Sequence, residues 1–107
     1  MPHRRVVITG LGVISAIGHN KNDFWNNLIC GNSGIDRIDK FDPSPFPTQI
    51  AAQVRDFNPL DYVSRTEARR MDNFVQYACA AARTAVEDAG LSLDRESLDR
   101  VGVWIGS

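Results

Sequence analysis

Cysteine and histidine are scarce in this chain, with two of each in 107 residues. Cys30 and Cys79 stand far apart, with no Cys-x-x-Cys or Cys/His grouping, and that spacing argues against a structural metal site. The two thiols read as packing residues. An excess of charge of either sign is also missing: 12 Lys and Arg face 13 Asp and Glu, for a formal net charge of −1. No whole-molecule attraction to nucleic acid or to an anionic membrane follows from such a balance. Long apolar runs are absent, and a bilayer span needs about 20 residues. His3, Arg4 and Arg5 imitate the start of a secretory leader, yet Val6–Ile8 is too short an apolar core before two glycines interrupt it. A cytoplasmic location is the expectation. Repeats and low-complexity segments are lacking too, and 43% hydrophobic with 23% charged residues is ordinary globular composition.

What is present has a clear order. "RVVIT", residues 5–9, is apolar and rich in β-branched residues, which predicts a buried strand. Asn20 reads as an N-cap with Asp23 in the first turn, opening a short helix that places Phe24, Trp25, Leu28 and Ile29 on one face and stops near Gly31. Four prolines (43, 45, 47 and 59) forbid a regular helix between Asn32 and Asp61. That stretch reads as an extended excursion, with "QIAAQV" as a short strand. Phe41, Phe46, Ile50, Val54 and Phe57 recur there too often for a solvated linker.

"SRTEARRMDNFVQYACAAARTAVEDAG" carries the strongest periodicity. Ser64 and Glu67 form a capping-box pair. From Met71 onward, Met71, Phe74, Val75, Ala78, Ala81, Ala82, Ala85, Val86 and Ala89 share a face, with Tyr77 and Cys79 at its borders and Asp72, Gln76, Arg83 and Glu87 opposite. Gly90 closes the helix. An apolar face covering half the circumference, lined by alanine, suits an interior helix against which another backbone lies close. "LSLDRESLDR" is a polar connection, and "VGVWIGS", residues 101–107, predicts a second buried strand. Central strands of a parallel sheet need cover on both faces and neighbours on both sides. Residues 1–107 therefore read as the beginning of a larger α/β domain, with the parallel sheet unfinished.

The turn Gly10-Leu11-Gly12-Val13-Ile14-Ser15 invites comparison with the dinucleotide fingerprint. Serine holds the third glycine position, the helix opens only near Asn20, and no strand precedes Asp36 or Asp39. A structural turn, in which Gly10 and Gly12 allow unusual φ or tight layer packing, fits better than a stand-alone nucleotide-binding module. No cofactor is expected.

Taken in order, "RRVVITGLGVISAIG", "FWNNLICGNSGI", "FD", "FPTQIAAQVRDFNPLDY", "RRMDNFVQYACAAARTAVEDAG" and "RVGVWIGS" resemble the amino-terminal part of the β-ketoacyl-[acyl-carrier-protein] synthases, nearest the type II elongating condensing enzymes of bacterial fatty-acid synthesis. The resemblance implies a thiolase-like fold, layered α/β with buried helices, and a homodimer. It also implies acyltransferase chemistry. An acyl group moves from carrier protein to a cysteine; malonyl-carrier protein loses carbon dioxide, and the carbanion attacks the acyl thioester. The nucleophile, both catalytic histidines and the supporting lysine of that family have no counterpart among these residues, so the segment itself holds no catalytic residue. Cys79 falls on the helix edge, and His3 and His19 read as solvated. A polyketide condensing enzyme, or its non-catalytic chain-length partner subunit, shares the resemblance and stays open.

One cluster within the segment has a role the resemblance supplies. "SRTEARR" holds Arg65, Arg69 and Arg70 against a single Glu67. Arg65 and Arg69 are four apart, on one side of a helix. In the resembling synthases basic residues here meet the acidic helix of acyl carrier protein. Arg69 and Arg70 match two of three family positions; Thr66 occupies the third, with Arg65 beside it. The plainer alternative is a solvated helix start with Arg–Glu pairs inside the chain.

Overall fold

A computed structural model describes residues 2–107. The elements run in the order α1 (Lys21–Ile29), β1 (Ile35–Arg37), β2 (Ile50–Ala52), a 3-10 turn (Pro59–Asp61), α2 (Arg65–Ala68) and α3 (Asn73–Ala89). Two further 3-10 turns follow, Leu93–Arg95 and Leu98–Arg100.

Each helix boundary has a local cause. The Asn20 side chain accepts the Asp23 N–H at 2.8 Å and opens α1. Gly31 follows the helix with φ of 70° and Gly90 ends α3 with φ of 63°, a region that glycine enters without a Cβ clash. Ser64 and Glu67 form the full capping box at the start of α2. The chain after it does not continue as one long helix. Asp72 is extended, at φ −67° and ψ 162°, and serves as N-cap of α3, so an elbow at Arg69–Asp72 separates a single turn from the long helix.

Three features hold α3 in place. Gly10 and Gly12 lie against its Ala81, Ala85 and Ala89 row: a methyl group on Gly12 would stand 2.8 Å from Ala85 N, and one on Gly10 2.6 Å from Ala89 N. Asp88 accepts the Leu11 N–H at 3.0 Å and the Lys21 ammonium at 2.5 Å, joining the glycine turn, α1 and α3. Phe57 stacks on Tyr62 at 5.7 Å and meets Tyr77 edge-on at 5.0 Å and His19 at 6.0 Å. That aromatic hub ties the proline-rich excursion to the middle of α3.

Several expectations change. Residues 5–9 and 101–107 form no strand among the described residues. Val6 is 94% exposed and Trp104 90%, because strand hydrogen bonding needs a neighbouring strand and none pairs with either segment. The sheet that does form is antiparallel, with β1 and β2 paired Ile35 to Ala52; β2 lies inside the expected "QIAAQV", while β1 is too short and too polar to stand out. Gly10 and Gly12 adopt no positive φ, so close approach to α3, and not unusual φ, is their reason. The alanine-rich helix is not enclosed: Ala80 is its one buried residue, and Phe74 on the same element is 56% exposed. Trp25, Leu28 and Ile29 on α1 are likewise exposed. Cys30 is exposed and so not a packing residue, Cys79 is half-buried, and His19 is half-buried against Phe57 where a solvated ring was expected.

Candidate functional site

The arginine cluster forms at the α2 elbow. Arg65 is the first residue of α2, and Arg69 its C-cap. The Arg69 N–H donates to Arg65 O at 3.2 Å, so the two stems are one helical turn apart on one side, as the spacing predicts. Arg70 follows at once, its N–H bonded to Glu67 O at 2.9 Å. All three side chains are exposed.

Nothing in the described residues neutralises them. The ion pairs found are Lys21–Asp88, Arg55–Asp39 and Arg83–Glu87, none of which uses this cluster. Glu67, the one acid within the stretch, turns away from its neighbours. Its carboxylate accepts from Ser64 N–H at 2.9 Å and from the Ser64 hydroxyl at 2.7 Å. The Ser64 hydroxyl, then the Ser64 amide, holds the Glu67 carboxyl below the usual carboxylate range. Among the described residues, Arg65, Arg69 and Arg70 form no pair with Glu67 at this helix start. Three guanidinium groups stand unpaired within six residues, on a chain whose remaining charges are predominantly acidic.

The base beneath them is braced from two sides. The Gln76 side-chain amide donates to Ala68 O at 3.1 Å and to Met71 O at 3.4 Å. Arg83 on α3 donates to Tyr62 O at 2.7 Å, just before α2, while its Nε pairs with Glu87. Sequence reasoning placed Gln76 and Arg83 on the polar side of α3 and assigned them nothing. Only the elbow, which leaves the end of the Pro59–Asp61 turn and of α2 within reach of α3, gives those side chains carbonyls to reach. Asp88 was missed altogether, since an acid in "VEDAG" has no distinguishing pattern; its carboxyl is held low by Lys21 first and by the Leu11 amide second.

Apolar grooves lie apart from the cluster. One of about 440 Å³ is lined by Leu11, Val13, Phe24 and Trp25 among others. Another, of about 290 Å³, runs between α3 at Phe74, Val75, Ala78, Cys79 and Ala82 and the segment at Val103 and Ile105. Phe74 and Trp25 thus line open grooves and not a core. A polar cleft of about 320 Å³ involves His19, Asp23, Asn27, Arg55 and Asp56.

A layered α/β segment with a glycine turn seated on an alanine helix and a basic elbow beside it has known relatives. The family model of the β-ketoacyl synthase N-terminal domain matches residues 3–107, and the chain belongs to that family. It is 47% identical over 105 residues to 3-oxoacyl-[acyl-carrier-protein] synthase 2 of Staphylococcus aureus strain COL, covering 98% of this chain and 25% of that protein. It is 51% identical over all 107 residues to the protein of the same name from Coxiella burnetii, covering 26% of it. The chain thus spans about a quarter of the length of these relatives. Among solved structures it is similar to the ishigamide ketosynthase/chain length factor, with a TM-score of 0.78 and 43% identity over 87% of this chain and 23% of that one. The fold is accordingly the amino-terminal part of a ketosynthase, thiolase-like α/β fold. No helix among the described residues is long and apolar enough to cross a membrane.

Proposed function

We propose that residues 1–107 act as the amino-terminal portion of a 3-oxoacyl-[acyl-carrier-protein] synthase, a cytoplasmic homodimer that joins malonyl-carrier protein to an acyl-carrier protein by decarboxylative condensation. In this reading the segment holds no catalytic residue; it supplies part of the layered frame and the surface at which acyl carrier protein docks. The observation that supports docking is the unpaired set Arg65, Arg69 and Arg70 on a braced, exposed turn. Such charges act chiefly on encounter rate and orientation and weaken with salt.

The test uses the complete condensing enzyme that carries this segment. Arg69→Glu with Arg70→Glu raises KM for acyl-carrier protein about tenfold at low ionic strength, and the difference shrinks in high salt. Turnover of an acyl-CoA, which lacks the acidic protein surface, changes little. Equal loss with both substrates removes the docking role.

The likeness to the ishigamide ketosynthase/chain length factor favours a second reading, a polyketide ketosynthase or its non-catalytic chain-length partner. A cysteine at the family's nucleophile turn in the complete protein supports a condensing enzyme, and glutamine there supports the partner subunit. Among proteins with the cysteine, assays on fatty-acyl against polyketide carrier substrates separate the two pathways.

A further inference from the structure

Arg69 and Arg70 lie between two backbone carbonyls, those of Ala68 and Met71, and both carbonyls accept from a single side-chain nitrogen, Gln76 Nε2, at 3.1 and 3.4 Å. Gln76 belongs to the first turn of α3, where its own N–H is bonded to Asp72 O at 3.1 Å. Its side chain therefore runs back against the chain direction and closes a ring around the two arginines. A one-turn helix such as α2 has little stability of its own, and the Ala68 carbonyl at its end has only one backbone partner, a long bond from the Met71 N–H at 3.3 Å. The Asp72 side chain makes no cap to α3.

Resting on the docking reading above, we infer that Gln76 is a positioning residue for Arg69 and Arg70. It sets the backbone from which both guanidinium groups project, so the ordering is complete before a carrier protein arrives and is not charged against binding. A neutral amide suits this place. A lysine would also donate to carbonyls but would add a fourth positive charge to the local field, and a glutamate would offer no donor and compete for the arginines.

Steady-state kinetics of the complete enzyme test this with Gln76→Met, which keeps the length and removes the donor, and Gln76→Asn, which keeps the donor one methylene short. Each is measured alone and combined with Arg69→Ala and Arg70→Ala. Loss of a neutral hydrogen bond predicts a rise in KM for acyl-carrier protein of about 3- to 10-fold. Values of kcat and of KM for acyl-CoA stay unchanged. In the Arg69→Ala/Arg70→Ala background the Gln76 substitutions add nothing further, because a residue that acts through another shows no independent effect once that other is removed. An additive rise in that background, or equal loss with both substrates, overturns the inference. A raised KM on removing the arginines with none on changing Gln76 overturns this inference alone; no effect of removing the arginines overturns the docking reading beneath it. Should Gln76→Met not fold, Gln76→Asn carries the same comparison.

Discussion

Glu67 shows how a single residue can leave its neighbours charged. With one carboxylate oxygen accepting from Ser64 N–H and hydroxyl, it forms no ion pair with Arg65, Arg69 or Arg70. The sign of its titration follows. Because the folded state favours the ionised form, the capping box contributes fully above the ordinary glutamate range and loses that contribution as pH falls from about 4 through the lower folded value. A carboxyl titration followed by NMR is expected to give Glu67 a midpoint below that of a free glutamate, and Ser64→Ala moves it back up. An unchanged midpoint in Ser64→Ala means the serine is not the cause. The pattern Ser-x-x-Glu was legible in the sequence because it is local. The freedom of the arginines was not, since it depends on where one carboxylate turns.

At the scale of elements, the glycine turn and α3 form the joint that places everything else. Their fit comes from absent side chains on both partners: Gly10 and Gly12 on one, the Ala81, Ala85 and Ala89 row on the other. Gly12→Ala drives a methyl group into the backbone at Ala81 and Ala85, and overpacking of this kind costs about 1–3 kcal/mol. Trimming Ala85 to glycine does not relieve it, because the obstruction is main chain. Gly90→Ala fails for a different reason. Its surroundings are open, but its φ of 63° is left-handed, which costs about 1–2 kcal/mol with a Cβ present, and Gly90→Asn loses less. Chemical denaturation of the complete protein measures all four. A Gly12→Ala variant as stable as the parent, or one rescued by Ala85→Gly, contradicts the close-packing account. Sequence periodicity identified α3, its closing glycine and its alanine face. It merged α2 with α3, since a capping box followed by an apolar repeat reads as continuous, although the intervening Asp72 is itself a good N-cap residue.

The whole molecule is extended and open. Its radius of gyration is 17.3 Å, against about 13 Å for a compact chain of this length. Its accessible surface is 8973 Å², against about 5,900 Å² for a folded monomer of its mass. Much of the excess is apolar: Val6, Ile8, Val103 and Trp104 stand in water. In isolation the 107-residue chain is expected to melt without a cooperative transition in circular dichroism and to bind a hydrophobic dye. A sharp two-state melt with no dye binding contradicts that expectation.

What the sequence determined by itself is what depends on near neighbours. The N-cap at Asn20, the capping box at Ser64, the stops at Gly31 and Gly90 and the amphipathic run of α3 all arise from interactions within a few residues, and the ordered motifs pointed to the family. Tertiary structure alone decided the rest. Whether "RVVIT" and "VGVWIGS" pair as strands depends on partners that local pattern does not contain, and here neither has one. The basic elbow is held by Gln76, which reaches the Ala68 and Met71 carbonyls, and Arg83 reaches the Tyr62 carbonyl ahead of α2, only after the chain has turned at Asp72.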